Sequence, residues 1–221
     1  HLVLEVPGQR ARGHAERPAT GDRGIRTVLD GVEAARTANG ERDARHQIVH
    51  VECLHPDDVA RFGQLGVVAC MQPRHGAPDV AGPGKDWAEA IGPERSEHAW
   101  AFRSLQQTGA VLAFSSDWTV AEMDPLSHLY TAVTRRGRGD TPAWVPEQGI
   151  TLDEAVYAYT MGSAFANFCE DNRGSITPGK YADFAVVSDN IFAGPVDAIR
   201  DAHIDMTIIG GEVVFDRSST A

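Results

Sequence analysis

The 221-residue sequence predicts an α/β protein whose parallel sheet is followed by a small antiparallel sheet. Short apolar runs alternate along the chain with segments of helical periodicity, which is typical of parallel β-α-β units. Two of these runs, residues 67–71 and 110–114, are apolar throughout, as in strands that are buried on both faces. After residue 172 the alternation stops, and Gly210-Gly211 separates two further apolar runs, which is typical of a hairpin. We therefore expect a domain boundary near residue 172.

The first eighteen residues differ in character from those that follow. Residues 2–6 are apolar enough for a short strand, whereas residues 7–18 are polar and are predicted to be irregular. A helix is predicted to begin at Asp22, a favourable N-cap residue, and to end at Asn39-Gly40. Its apolar residues recur at helical spacing at Ile25, Val28, Leu29, Val32 and Ala35.

Two strands, a helix and a long loop are predicted next. A short apolar strand covers residues 47–51, and a helix follows Pro56. The run at residues 67–71 is the next predicted strand, and it is the first of the two that are expected to be buried on both faces. Residues 73–93 are rich in proline and glycine and are predicted to form a long loop, which in a compact domain is usually functional.

The rest of the chain continues the same alternation before it changes to strands. Helices are predicted over residues 93–109, 125–134 and 152 to about 160, and strands over 110–114, 182–187, 204–209 and 213–215. Thr151 and Glu154 have the spacing of a capping box at the start of one of these helices. The strand at residues 110–114 runs directly into Ser115-Ser116-Asp117-Trp118.

The composition excludes several classes of function. Twenty Lys and Arg against 31 Asp and Glu give a formal net charge of −11. Nucleic acids and anionic membranes select basic surfaces, so neither is an expected partner. Three widely spaced cysteines predict neither a disulfide framework nor a thiolate metal site, and they favour a cytoplasmic location. We expect neither a signal peptide nor a membrane span, because no apolar run approaches roughly 18 residues.

Two residues with metal-binding and acid-base chemistry end predicted parallel strands. His50 ends the strand that starts near residue 47, and Asp117 ends the strand that starts near residue 110. Because the carboxyl ends of parallel strands meet at one edge, both side chains are expected in the same mouth. Together they offer ligands for a divalent metal and a base for its water molecule. Each residue taken singly also has a structural explanation, His50 as a buried histidine bonded to a backbone carbonyl and Asp117 as a helix cap.

Other residues with useful chemistry have equally ordinary explanations. His75 lies in the long loop and is either a substrate contact or a solvated residue. Trp118 either walls a pocket or packs in the core, and the core is favoured. His46 lies about 13 Å from His50 along an extended strand and is expected to be structural. His128 falls in a predicted helix and is expected at the surface. The sequence has no dinucleotide-binding, P-loop or serine-hydrolase motif.

Several segments, in order along the chain, resemble the metal-dependent amidohydrolases. Residues 48–52 (Ile-Val-His-Val-Glu) resemble the I-E-H-A-Q strand of that family, and residues 62–73 resemble the segment after it. Residues 114–118 resemble a strand end that reads G-S-D-W-P. Residues 174–183 resemble the signature G-S-l-x-P-G-K-x-A-D, and residues 207–215 resemble the closing hairpin. The resemblance covers roughly residues 19–217 and is greatest to the branch that contains N-substituted formamide deformylase.

The resemblance implies the C-terminal half of a (β/α)8 TIM-type barrel, followed by part of a small β-sandwich. The expected division is an irregular or foreign start over residues 1–18, a partial hydrolase barrel over 19–172 and sandwich strands over 173–221. The H-x-H motif of the family's first strand does not occur in this sequence, and Pro18 stands where a further histidine is expected. The upstream metal ligands are therefore expected to be missing. Half a barrel also leaves open strand edges, which favours a homo-oligomer.

The resemblance also implies an activity, which is hydrolysis of a non-peptide C–N bond in a small-molecule amide by metal-activated water. His50 matches a ligand of the divalent metal, for which zinc is expected, and Asp117 matches a metal ligand and general base. Gln72, His75 and Trp118 fall where substrate-binding loops lie. Two ligands are one fewer than a catalytic zinc usually has, so the chain is expected to be weakly active or inactive.

Two alternatives to the amidohydrolase activity follow from the same residues. The first is a non-catalytic binding or interaction module on the same scaffold, which the missing H-x-H motif favours. The second is a barrel phosphoesterase, which is disfavoured because no cluster of Arg and Lys lies near the predicted strand ends.

Overall fold

A computed structural model describes residues 15–220 of the chain, and the strand predicted over residues 2–6 lies outside them. A parallel sheet of four strands has the order β1-β2-β3-β4, so that strands consecutive in sequence are neighbours in space. The strands are β1 (Glu16–Ala19), β2 (Gln47–His50), β3 (Val68–Met71) and β4 (Leu112–Phe114). The predicted parallel α/β architecture is thus present.

Residues 7–18 were predicted to be irregular. Of these, residues 16–18 form part of strand β1, so the prediction is wrong for them. The sequence gives no apolar signal there because only Ala19 is buried in this strand. Parallel pairing with β2, in the register Glu16 opposite Gln47, holds the strand instead. Pro18 has no backbone N–H to donate, and an edge strand tolerates this loss better than a central one.

Helices follow the first three strands and continue after the fourth. They are α1 (Asp22–Asn39), α2 (Pro56–Leu65), α3 (Asp86–Ile91), α4 (Pro93–Ser96), α5 (Phe102–Gln107), α6 (Pro125–Thr134), α7 (Leu152–Tyr157) and α8 (Ser163–Ala166). The cap of α1 is Gly21, one residue before the predicted Asp22, which becomes the first helical residue. Gly40 ends α1 as predicted, with a φ of 79° that favours glycine.

The single helix predicted over residues 93–109 is wrong, because two shorter helices form there. The break lies at residues 97–101, where Trp100 takes a left-handed backbone with a φ of 45°. The backbone N–H of Trp100 donates to the carbonyl of Glu52 at 2.9 Å, and Ala99 forms a bridge with Cys53. The segment is thus held against the chain that leaves β2, and a continuous helix is incompatible with these bonds.

Two other predicted features are present with added detail. Thr151 and Glu154 form the predicted capping box at the start of α7, which continues through one π turn (Ala158–Gly162) into α8. The predicted loop over residues 73–93 contains a 3-10 turn (Pro73–Gly76) and the helix α3. These two pieces give the loop a fixed course next to the carboxyl edge of the sheet.

The core lies between the parallel sheet and its helices. Its fully buried members include Leu29 of α1, Ile48 of β2, Phe62 of α2, Met71 of β3 and Leu105 of α5. Burying each such side chain stabilises the fold by roughly 1.5–3 kcal/mol. This packing orients the strands that carry the residues of the candidate site.

The tail forms the predicted antiparallel sheet, in the order β5-β6-β7. Its strands are β5 (Phe184–Val187), β6 (Ile204–Ile209) and β7 (Glu212–Asp216). Gly210 and Gly211 both have positive φ, of 60° and 87°, and form the predicted tight turn between β6 and β7. Within residues 15–220, no helix combines the length and the apolar character needed to cross a membrane.

We predict that Gly63→Ala destabilises the fold, because α2 packs closely against the end of α5. A Cβ atom at Gly63 would lie 2.1 Å from the carbonyl oxygen of Thr108, which is backbone and cannot rotate away. The free energy of unfolding should fall by about 1–3 kcal/mol, as for other overpacked sites. Urea unfolding followed by circular dichroism measures this change.

Gly31→Ala is the matched control, since Gly31 lies inside helix α1 and a Cβ atom there meets nothing within 4 Å. It should stabilise the chain by about 0.5–1 kcal/mol through helix propensity alone. Equal effects of the two substitutions would contradict the packing of α2 described above.

Candidate active site

The chain bends sharply where β2 ends. This bend directs the side chains of His50 and Glu52 to the edge of the sheet at which the parallel strands end. His50 and Val51 have left-handed backbone, with φ of 82° and 49°. A left-handed backbone is rare for a β-branched residue such as Val51, and it costs about 1–3 kcal/mol. Three backbone bonds hold the bend: Val51 N–H donates to the carbonyl of Ala19, and the N–H groups of residues 52 and 53 donate to the carbonyl of Thr20.

His50 is oriented by a chain of side-chain hydrogen bonds. Its Nδ1 lies 3.1 Å from Oε1 of Gln72, and Nε2 of Gln72 donates to Oγ of Ser115 at 2.9 Å. Since the amide oxygen accepts, the Nδ1–H of His50 donates and its Nε2 keeps a free lone pair. Such support of one ring nitrogen is typical of metal-binding histidines.

Gln72 was predicted to bind substrate, and the structure places it behind His50 instead. The side chain is only 1% exposed, and both ends of its amide are bonded within the protein. We therefore assign it the role of positioning His50. The alternative of a backbone carbonyl as the partner of His50 does not apply, because the partner is this side chain.

Glu52 reaches the site although it is not among the predicted residues. Its Oε2 accepts a hydrogen bond of 2.8 Å from the indole Nε1–H of Trp87 on α3. Burial raises the pKa of Glu52, and the nearby Asp117 raises it further, whereas Trp87 and His50 lower it. The sequence held no local signal for this, because the direction of Glu52 depends on the left-handed bend at residues 50–51.

His75 lies in the 3-10 turn after β3 and stacks near His50. The two ring centroids are 6.2 Å apart and the ring planes differ by 20°. Burial lowers the pKa of His75, which favours the neutral ring. Its Nε2 is buried and makes no hydrogen bond within residues 15–220. The side chain as a whole is half-buried, so His75 is not a fully solvated loop residue.

The turn that carries His75 is fixed on both sides. The buried guanidinium of Arg74 forms two hydrogen bonds with the carboxylate of Asp79, at 2.7 and 2.6 Å. A Cβ atom at Gly76 would lie 2.6 Å from the indole of Trp100, so the turn packs directly against that ring. His75 is therefore held at one position beside His50.

His50, Glu52 and His75 together form a donor set that fits a divalent cation. One ligand atom from each lies within 4.8 Å of those of the other two. Two imidazoles and a carboxylate are the ligands of several catalytic zinc sites. The unpartnered nitrogen of His75 is consistent with this fit, since a buried polar atom normally has a partner.

Asp117 and Trp118 follow β4 at the same edge. The charge of Asp117 raises the pKa of both Glu52 and His75, so its carboxylate is electrostatically coupled to the cluster. Asp117 does not cap the next helix, because the side chain of Asp124 fills that position at α6. Trp118 is 62% exposed, so the expectation that it packs in the core is wrong and its indole lies at the surface.

A buried histidine, His128, belongs to the surroundings of the site. His128 was expected at the surface but is fully buried on α6, where its Nε2–H donates to the carbonyl of Glu122 at 3.0 Å. Its ring lies edge-on to Tyr159, with centroids 5.9 Å apart. Burial lowers the pKa of His128. A helical periodicity alone does not reveal this burial, because α6 is covered on several faces.

Comparison with known proteins supports the resemblance found in the sequence. The model of the Amidohydrolase family (Amidohydro_3) matches residues 14–215. Protein LONG AFTER FAR-RED 3 of Arabidopsis thaliana is 39% identical over 198 residues, which cover 89% of this chain and 33% of that protein. N-substituted formamide deformylase of Arthrobacter pascens is 26% identical over 207 residues, which cover 90% of this chain and 36% of that protein.

A solved structure agrees with these relatives. An uncharacterized metal-dependent hydrolase from Pyrococcus horikoshii OT3 matches with a TM-score of 0.64 and 26% identity, over 78% of this chain and 33% of that one. The likeness implies an α/β fold of the TIM-barrel type. The chain spans about a third of the length of the relatives it matches.

The carboxylate of Glu122, next to this site, is held ionised by its neighbours. Burial raises its pKa, but the hydrogen bonds from its own backbone and from Ser127, with the charges of Arg138 and Arg74, outweigh this and lower it to about 2. In the unfolded chain the pKa returns to its ordinary value near 4.5. The stabilisation is therefore complete above that value and is lost as the pH falls towards 2.

We predict that Glu122→Gln lowers the free energy of unfolding at pH 7 by about 1–2 kcal/mol. This is less than the full pKa shift implies, because the side chain is 29% exposed and solvent screens its ion pairs. The difference from the unsubstituted chain should vanish as the pH approaches 2. Urea unfolding between pH 2 and pH 7 measures it, with the exposed Glu89→Gln on α3 as the control. A difference that stays constant over this range would contradict the prediction.

Proposed function

The chain belongs to the amidohydrolase family, and we propose that its site takes part in hydrolysing a non-peptide C–N bond in a small-molecule amide. The observation that carries this proposal is the meeting of His50, Glu52, His75 and the charge of Asp117 at the carboxyl edge of the parallel sheet. In barrels of this type, catalytic groups come from the carboxyl ends of several strands.

We further propose that the four parallel strands are the second half of a (β/α)8 barrel, which begins with β1 at residue 16 rather than at the expected residue 19 and extends to residue 172. The strand order β1-β2-β3-β4 supports this, because each strand lies beside the next one in sequence and helices connect them. The sheet β5-β6-β7, within residues 173–221, would then be part of the small β-sandwich. For a whole protein of the relatives' length, we propose the same activity, hydrolysis of a non-peptide C–N bond, on the same class of substrate, small-molecule amides.

The residues of this chain have distinct roles in the proposed reaction. A divalent cation such as zinc, which two imidazoles suit, would supply a water molecule of lowered pKa as the nucleophile. The free lone pair of His50 would hold the cation, and Gln72 would keep the ring in place. A carboxylate oxygen of Asp117 would accept the proton of the attacking water and pass it to the leaving nitrogen. A C–O bond forms, the C–N bond breaks and the amine leaves neutral.

Trp118 is the residue that we propose for contact with the substrate. Its indole is exposed and directly follows Asp117, so it lies beside the proposed base. An aromatic ring in this position offers an apolar surface to an N-substituent of the amide. One relative is named N-substituted formamide deformylase, so N-substituted formamides are the first substrates to test.

A second candidate function is a non-catalytic binding module on the same scaffold. The observation that favours it is the 39% identity to LONG AFTER FAR-RED 3, whose name states no reaction. This candidate differs from the hydrolase in one measurable respect, because it predicts ligand or partner binding without turnover.

We predict that Asp117→Asn lowers amide hydrolysis by about 100-fold or more, because the carboxamide cannot accept the proton. The chain, supplied with zinc, is incubated with N-formyl and N-acyl amides, and the released amine is measured by mass spectrometry. Asp153→Asn, an exposed residue in the first turn of α7, is the matched control and should leave the rate unchanged.

Two outcomes would contradict this proposal. Turnover that survives Asp117→Asn would remove Asp117 from the role of base. Absence of turnover by the unsubstituted chain, with zinc bound, would reject hydrolysis by this chain on its own and favour the non-catalytic module for it.

A further inference from the structure

We infer that a cavity beside α3 binds an organic ammonium ion, which is a cation that carries an apolar body. The cavity has a volume of about 460 Å³ and lies between α3, α4 and the segment of residues 144–147. None of the residues that line it belongs to the candidate active site. The inference goes beyond the proposed function, and its evidence does not depend on any hydrolysis.

The wall of the cavity is largely apolar. Ala88 of α3, Trp144 and Val145 line it and are each less than 10% exposed, and Pro83 and Pro93 line it as well. Cavities of roughly 300–1,000 Å³ with such walls typically bind small molecules. The size and the wall therefore favour a small ligand over a peptide or a second copy of the chain.

Three carboxylates line the same cavity, whereas no Lys, Arg or His is among the described residues that line it. These carboxylates belong to exposed residues, Glu89, Glu97 and Glu147. None of them forms an ion pair within residues 15–220, and Arg95, which is close to two of them in sequence, pairs with Asp22 at 3.9 Å instead. The cavity thus presents negative charge that has no cationic partner on its wall.

One buried cation near the cavity does not cancel this charge. Arg135 is completely buried and is electrostatically coupled to Glu147. Its single positive charge offsets at most one of the three carboxylates, so a net negative charge remains. An indole beside unpaired carboxylates attracts organic cations, because the ring and the carboxylates both favour positive charge. The charge of the cavity therefore selects an ammonium ion over a neutral or anionic molecule.

The wall is held in place within the protein itself. The backbone N–H of Trp144 donates to the carbonyl of Arg135 at 2.9 Å, and Nε–H of Arg135 donates to the carbonyl of Trp144 at 3.2 Å. Val145 has left-handed backbone with a φ of 51°, and the N–H of Gln148 donates to its carbonyl at 3.0 Å. A site that is already formed loses less conformational entropy when its ligand binds.

The cavity shares helix α3 with the candidate active site. Ala88 and Glu89 line the cavity, whereas the preceding residue, Trp87, donates to Glu52 at 2.8 Å. Trp87 also packs edge-on against Trp144, with ring centroids 5.8 Å apart. A ligand in the cavity should therefore affect Trp87. The amine released by the proposed hydrolysis belongs to the same class of ligand, since alkylamines are protonated at neutral pH, and this link to the reaction rests on the proposed function.

Binding of 2-phenylethylammonium to the chain tests the inference. Isothermal titration calorimetry gives the dissociation constant, for which we expect about 0.1–1 mM with a ligand of this size. The neutral 2-phenylethanol and the anionic 3-phenylpropanoate carry the same ring and should bind at least about 10-fold more weakly. Equal binding of all three molecules would overturn the inference, because the carboxylates would then play no part.

Neutralising the three carboxylates should raise the dissociation constant of 2-phenylethylammonium by about 10-fold or more. The variant combines Glu89→Gln, Glu97→Gln and Glu147→Gln, which are exposed positions, and circular dichroism checks that it folds. A matched control changes the net charge equally at exposed residues that do not line the cavity, with an expected effect below about twofold. It combines Asp140→Asn, Asp153→Asn and Glu212→Gln. An equal loss in both variants would indicate a general effect of net charge and would overturn the inference.

The indole N–H signals of the ¹⁵N-labelled chain report where the ligand binds. We expect the signals of Trp144 and Trp87 to shift on addition of 2-phenylethylammonium, and the signal of the exposed Trp118 to stay in place. A shift of Trp118 alone would place the ligand at the candidate active site and overturn the inference, with the proposed hydrolysis unaffected. Binding in the cavity without turnover of any amide would support the inference and reject hydrolysis by this chain.

Sedimentation velocity tests the other occupant, a second copy of the chain. A chain that self-associates and binds no 2-phenylethylammonium would indicate that its partner covers the cavity, and this result would overturn the inference. A monomeric chain that binds no 2-phenylethylammonium would overturn it as well. A chain that binds the cation with the expected dependence on the three carboxylates would support it.

Discussion

The parallel register of the four strands is the constraint on which the candidate site depends. Ala19 pairs with His50, and Met71 pairs with Phe114, so the chain leaves all four strands at one edge. Because side chains alternate along a strand, a slip of one residue would turn His50 to the other face of the sheet. The register is in turn fixed by the apolar residues of the inner strands, of which Ile48 is completely buried.

Backbone strain at this edge is maintained by bonds that converge on it. His50, Val51, Trp100 and Asp117 all have left-handed backbone, which costs about 1–3 kcal/mol for each such residue. The carbonyls of β1 and of its following residue accept bonds from the bend after β2, and the carbonyl of Glu52 accepts one from Trp100. Strain of this kind is typical of functional sites, where side chains are needed in directions that regular strands do not provide.

The sequence was sufficient for the parts of the site that follow from periodicity. The positions of His50 and Asp117 at strand ends, and of His75 in the loop after β3, follow from buried runs and their boundaries. Glu52 was missed because its direction depends on the bend at residues 50–51, and no local pattern marks that bend. The polar strand β1 was missed for a related reason, since pairing with β2 rather than an apolar face holds it. The role of Gln72 depends on contacts between strands that only the register creates.

The long loop after β3 does more than cover the site, because it supplies part of it. His75 comes from its first turn, and Trp87 of α3 donates to Glu52. The indole of Trp87 also packs against those of Trp100 and Trp144, with ring centroids 4.7 and 5.8 Å away. A carboxylate of the site is therefore coupled through one side chain to an aromatic cluster in the interior. The donor set is therefore complete only when the loop is folded, and a cation bound there would stabilise the loop as well as the site.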